Sequence, residues 1–204
     1  MARLAHYLMA SEWRAALIAS VLLFLPLLSW AGASVVGLYA LRRGPQKAPL
    51  VTGLPLVVAT VMAFGFGDSA MLIVLLVTIA LAAILHSTMS WMVVLQIALV
   101  LSIALVFVVS SVYEEILKGL VAAIKQVVAA PEQLAALGVE SAIVDAWMGS
   151  LAVGALSFVH MVSALMALVM ARALQAQAYN PGGLKAEFEA IRLAPLFAVG
   201  CLLL

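Results

Sequence analysis

Read for hydrophobicity alone, the chain is a series of long apolar runs parted by short polar breaks. The runs cover residues 15–41, 48–66, 69–85, 89–113 and 146–173, and a last one begins after Pro195. None alternates apolar and polar positions as a barrel strand does over about ten residues. Several approach or exceed the roughly 20 residues that carry a helix across a bilayer. The pattern predicts an all-α, polytopic transmembrane helix bundle with about six membrane segments, and the bilayer as the first partner.

The breaks are informative. The first run has Pro26 at its centre, where a proline removes a backbone donor and kinks or breaks a helix. Arg3 and Arg14 precede it, and Arg42, Arg43 and Lys47 follow. Basic residues favour the cytoplasmic side, so cations on both flanks predict a proline-broken hairpin turning near residues 26–32. One long kinked span is the other reading. Residues 114–145 are less apolar: Ile116, Leu120, Ile124 and Val127 recur at helical spacing with Lys118 and Lys125 on another face. This predicts an amphipathic helix on the membrane surface, followed by a second short helix between Pro131 and Gly138. Only nine residues follow Pro195, so the last helix reads as cut short and the 204 residues as one integral membrane domain, truncated at its C-terminus.

Composition sharpens the class. The chain is 67% hydrophobic and 9% charged, with mean hydropathy +1.26. A net charge of +1 supplies no field for nucleic acid. A single cysteine, Cys201, excludes an internal disulfide and a multi-thiolate metal site. Threading the runs through a membrane with Arg42, Arg43 and Lys47 inside puts residues 114–145 outside and a connector, 174–194, in the cytoplasm. Under the hairpin reading every Lys and Arg except Lys118 and Lys125 then falls on the cytoplasmic side.

That connector reads AYNPGGLKAEFEAIRL from Ala178. Asn180, Pro181, Gly182 and Gly183 spell a turn, because proline fixes φ and glycine accepts φ > 0. Leu184, Phe188 and Ile191 then share one face of a short helix, with Lys185, Glu189 and Arg192 on the other. It reads either as a solvated connector or as a docking surface built on Asn180, Gly182, Gly183, Phe188 and Arg192.

His160 lies in the middle of an apolar run, where ionisable groups face a bundle interior or cavity. Its functional reading is a ligand contact or proton-linked switch. Its structural reading is a neutral imidazole bonded to Gln96 or a serine. Gln96, Ser102, Ser110 and Ser111 read mainly as helix–helix hydrogen-bonding groups. Asp68 either caps the next helix or meets a ligand at the outer mouth. The ligand-binding set predicted from sequence is therefore His160, Gln96 and Asp68. Small residues recur every four positions at Ser29, Ala33, Gly37, at Ala146, Ser150, Gly154, and at Ser163, Ala167, Ala171, which allows close helix approach. No phosphate-binding glycine loop, zinc-protease motif or nucleophile elbow is present. The sequence predicts no enzyme, no metal site and no cofactor.

The patch RALQAQAYNPGGLKAEFEAIRLAP resembles the YybS-like membrane proteins, a bacterial family of unknown function. The match rests on Asn180, Pro181, Gly182, Gly183, Glu187, Phe188, Ile191, Arg192 and Leu193. LPLLSWAGASVVGLYALRRG near the N-terminus looks like the same family. The resemblance implies a bacterial inner (plasma) membrane protein with a bundle of about six helices. It is distantly similar to the substrate-binding membrane subunits of energy-coupling-factor vitamin transporters and to the rod-shape protein MreD. Two functions follow. One is a subunit that binds or transports a small solute and is energised by ATPase and transmembrane coupling subunits. The other is a non-transporting scaffold for cell-envelope or division proteins.

Overall fold

Each break in hydrophobicity is a helix end. The structure, a computed structural model, describes residues 2–25, 28–127 and 141–191. Every long element among them is an α-helix: α1 Ala2–Met9, α2 Glu12–Phe24, α3 Ser29–Arg43, α4 Pro49–Phe66, α5 Ala70–Thr88, α6 Trp91–Val112, α7 Glu114–Val127, α8 Ser141–Tyr179 and α9 Gly183–Glu189. A 3-10 turn, Pro45–Lys47, joins α3 to α4. The sequence reads as a single membrane domain; its contacts gather into two compact units, one of residues 1–99 and 162–204 and one of 100–161.

Among the described residues four helices are long and apolar enough to cross a membrane: α4, α5, α6 and the part of α8 from Ala146. A fifth span results if α1 and α2, bent by 113° where they meet, count as one. This is a membrane-embedded protein. Phe64, Phe66, Phe107, Leu151 and Phe158 point outward and uncovered, which suits lipid and not water. The expected sixth span falls in the last apolar run, which lies outside the described residues, as do Pro26, the proposed helix 131–138 and Arg192.

The first apolar run is two helices. At 13 and 15 residues, α2 and α3 extend only about 20 Å each, short of the roughly 30 Å hydrocarbon core. They lie against one another, and Arg43 at the end of α3 is ion-paired with Glu12 at the start of α2. The element is thus a closed hairpin with its charged residues at the open end.

In the first unit α3 is the central post. Every residue from Gly32 to Leu41 is buried. Its small residues make this possible. Gly32 meets α2, and a methyl group at Gly37 would stand 3.2 Å from the Ala171 Cβ and 3.4 Å from the Thr78 Cγ2. Two of the small-residue rows therefore face each other, Ala33–Gly37 on α3 and Ala167–Ala171 on α8, all of them buried. The third row does not close: Ala146, Ser150 and Gly154 are exposed. In the second unit, Tyr113 just before α7 and Leu117 within it are buried, while Ile116 and Leu120 are exposed. The amphipathic stripe read from sequence is thus only partly covered by the protein. Glu114 and Glu115 pair with Lys118 at 2.8 and 3.2 Å.

Candidate functional site

The open end of the hairpin starts with an orphaned carbonyl. Leu41 O would accept from the amide of residue 45 in a continuing helix, but residue 45 is proline. Two side chains from other helices fill the gap: His86 Nδ1 stands 2.9 Å from Leu41 O, and Gln175 Nε2 donates to it at 3.5 Å. The bond requires the imidazole proton on Nδ1. Gln175 Oε1 in turn accepts from Arg172 Nη1 at 3.1 Å.

Arg172 is the centre of the cluster. It lies near the end of α8 and is 8% exposed. A buried guanidinium requires a partner, and Glu187 of α9 supplies it with both oxygens. Arg172 Nε donates to Oε2 at 3.0 Å and Nη2 donates to Oε1. Trp91, the first residue of α6, donates its indole N–H to the same Oε2 at 3.0 Å. Its ring stacks on Phe188 with centres 5.0 Å apart. Burial pushes the Glu187 carboxyl up, but the hydrogen bonds from Arg172 and Trp91 and the Arg172 charge outweigh it and hold the group below its ordinary value. Glu187 separates two clefts. One, of about 220 Å³, is lined by Leu85, His86, Arg172 and Gln175; the other, of about 280 Å³, by Ser90, Trp91, Met92 and Ile191. Chemically this is a clamp: the charges cancel, and a seven-residue helix is pinned to the ends of two longer ones, α6 and α8.

The Asn180–Gly183 turn forms as its composition predicts. Gly182 has φ +87° and Gly183 N–H donates to Asn180 O at 3.0 Å. Lys185 and Glu189 pair at 3.7 Å on the exposed face. Glu187 faces inward, and Phe188 is divided, stacked on Trp91 yet 40% exposed.

Of the three residues expected to hold a ligand, Asp68 and Gln96 lie far apart within the first unit. Asp68 Oδ1 accepts from Ala70 N–H at 3.1 Å and so caps the start of α5. Gln96 is half-buried near the start of α6. The Asp68 end of α5 is about 28 Å from its His86 end, which adjoins the start of α6, so Asp68 and Gln96 share no site. His160 belongs to the other unit. There its Nδ1 stands 2.7 Å from Leu156 O and its Nε2 3.3 Å from the Tyr113 hydroxyl. Its partners are a carbonyl and a tyrosine, in place of the glutamine or serine expected. Both nitrogens are thus engaged. Among the described residues no group of three His, Cys, Asp or Glu side chains could hold a metal.

Replacing Asp68 by Ala removes only a cap. The expected loss is about 1 kcal/mol, read as a small fall in the unfolding midpoint in detergent. A larger fall would mean that the carboxylate has a second role.

Compared with protein-family models, with curated proteins and with solved structures, the chain finds no match.

Proposed function

We propose that the chain is a multi-pass protein of the bacterial inner membrane, YybS-like in type, that serves as a scaffold with its docking face at the cytoplasmic end. The orientation follows from charge. Arg3, Arg14, Arg42, Arg43, Lys47, Arg172 and Lys185 all belong to the helix ends and connectors around the open end of the hairpin, and such residues favour the cytoplasmic side. The α2–α3 pair enters the membrane and turns back within it.

The observation that carries the scaffold reading is the clamp on α9. Burying Arg172 to hold a seven-residue helix in one pose makes sense if that helix presents a surface. A pre-organised surface binds without the cost of ordering it. Phe188, Lys185 and Glu189 form its outward side. The partner is a soluble cytoplasmic face of an envelope or division assembly. A transport subunit is the second reading, favoured by the polar cleft beside Arg172. That cleft, about 220 Å³, is below the roughly 300 Å³ at which ligand pockets begin, and its charged pair is already matched.

The test is recovery of partners from native membranes in mild detergent, with the wild-type chain and a Lys185→Ala/Glu189→Ala variant that spares the clamp. A stoichiometric partner lost in the variant is expected. A partner with cell-envelope or division roles supports the scaffold, and an ATP-hydrolysing one supports transport. A partner retained undiminished by the variant, or none from either protein, overturns docking through α9.

A further inference from the structure

The N-terminal helix has a geometry that the scaffold reading does not use. Between α1 and α2 the chain axis turns by 113°, so α1 lies across the end of the hairpin. One side of α1 is fixed to the bundle. Ala5 and Leu8 are buried, the Leu8 carbonyl accepts from the Tyr39 hydroxyl at 2.9 Å, and the His6 ring meets the Tyr179 ring edge-on at 5.6 Å. The other side is uncovered: Arg3 and Leu4 are exposed, Tyr7 is 52% and Trp13 55% exposed, and Arg14 stands beside them.

The cations here are held ready. The Arg14 guanidinium sits 5.6 Å from the centre of the Tyr7 ring, and that of Arg42 sits 4.1 Å from the centre of the Tyr179 ring. A guanidinium over an aromatic ring is attracted to it without using its N–H donors on an acid, which suits it to meet an anion. Among the described residues none of Arg3, Arg14 and Arg42 has a carboxylate partner, while Glu12 is taken by Arg43. Tyrosine and tryptophan beside arginine at the end of apolar helices is the composition of a membrane interface.

We infer that α1 lies in the headgroup layer and that Arg3, Arg14 and Arg42, with Tyr7, Trp13 and Tyr179, bind the phosphate of an anionic phospholipid. Charge complementarity selects the occupant. Three arginines with no carboxylate partner among the described residues flank an apolar, aromatic stripe, and an anionic lipid offers both phosphate and hydrocarbon to match. A zwitterionic lipid offers the hydrocarbon with its phosphate charge already offset. The inference rests on membrane embedding alone and is independent of what docks on α9.

Phosphatidylglycerol with brominated acyl chains, titrated into the full chain in neutral detergent, tests it through tryptophan quenching. The Trp13 signal is taken as the part absent in Trp13→Phe. Brominated phosphatidylglycerol is expected to half-saturate that signal at a concentration at least tenfold below brominated phosphatidylcholine. Each arginine near an anionic surface contributes about a fivefold change in affinity. Arg3→Gln, Arg14→Gln and Arg42→Gln should therefore each raise the half-saturating concentration about fivefold, and Lys118→Gln should leave it unchanged. The triple Arg→Lys variant, which keeps the charge, retains the headgroup preference if the site is as inferred. Equal quenching by the two lipids, a preference that survives the triple Arg→Gln change, or displacement by soluble glycerol phosphate at matched concentration overturns the inference.

Discussion

Glu187→Ala is expected to release α9 and lower the stability of the first unit more than any other single change at its polar end. Arg172 keeps its burial but loses both oxygens that satisfy it, and Trp91 loses the acceptor for its indole N–H. Breaking a buried ion pair from one side costs about 3–5 kcal/mol. The Glu187 side chain retains 27% of its exposure, and water screens part of the loss, so about 2–3 kcal/mol is the fitting figure. For a chain of this length that is a fall of about 5–10 °C in the unfolding midpoint, with new protease cleavage around the Asn180–Gly183 turn. Removing both charges, as Arg172→Met/Glu187→Met, leaves no unpaired buried charge, and the double variant should be more stable than Glu187→Ala. If the double variant is as unstable as the single one, the pair is not the clamp.

The same pair sets a pH dependence. Glu187 titrates below its ordinary value of 4.5 in the folded chain. A carboxylate of this kind stabilises the fold at pH above its unfolded value, and the contribution is lost as pH falls through the lower, folded one. The wild-type midpoint should therefore drop on acidification below about pH 4.5, and Glu187→Ala should lack that part of the drop.

Why the clamp escapes a reading along the chain is instructive. Within 183–192 the local rule pairs Lys185 with Glu189, and that pair forms. Glu187 has no cation three or four residues away, and neither has Arg172 an acid at those spacings. Two charges of opposite sign, each lacking a local partner, are the trace that the tertiary pair leaves in the sequence. The trace names no partner, because Trp91, Arg172 and Glu187 meet only once α6, α8 and α9 are folded. His160 escaped for the same reason, since its hydroxyl partner Tyr113 is 47 residues away. Helix α1 was missed because eight residues with two buried positions make too short a period to read. Features that depend on backbone were legible. Gly182 takes the positive φ its turn demands, the proline-centred run folds into two helices, and two small-residue rows meet at Gly37 and Ala171.

That hairpin yields the second large effect. A methyl group on Gly32 would stand 2.6 Å from the Ala19 carbonyl oxygen and 2.8 Å from the Leu23 amide nitrogen. These are backbone atoms of α2 and cannot rotate aside, so Gly32→Ala must push α2 from α3. Overpacking costs about 1–3 kcal/mol, and a contact with backbone belongs at the upper end. Gly32→Val should prevent recovery of the folded chain. Gly53 is the matched control: nothing lies within 4 Å of a methyl there, and Gly53→Ala should be neutral or gain up to about 1 kcal/mol from helix propensity. The comparison also decides between the two readings of the first apolar run. In one continuous helix, Ala19 and Gly32 would be about 20 Å apart and alanine at 32 would be welcome. A destabilised Gly32→Ala beside an intact Gly53→Ala therefore argues for the hairpin, and equal stability of the two would argue for the single span. The consequence reaches the polar end, because α3 carries the Leu41 carbonyl on which His86 and Gln175 converge. Gly32→Ala should accordingly loosen α9 as well, although Gly32 touches no residue of the clamp.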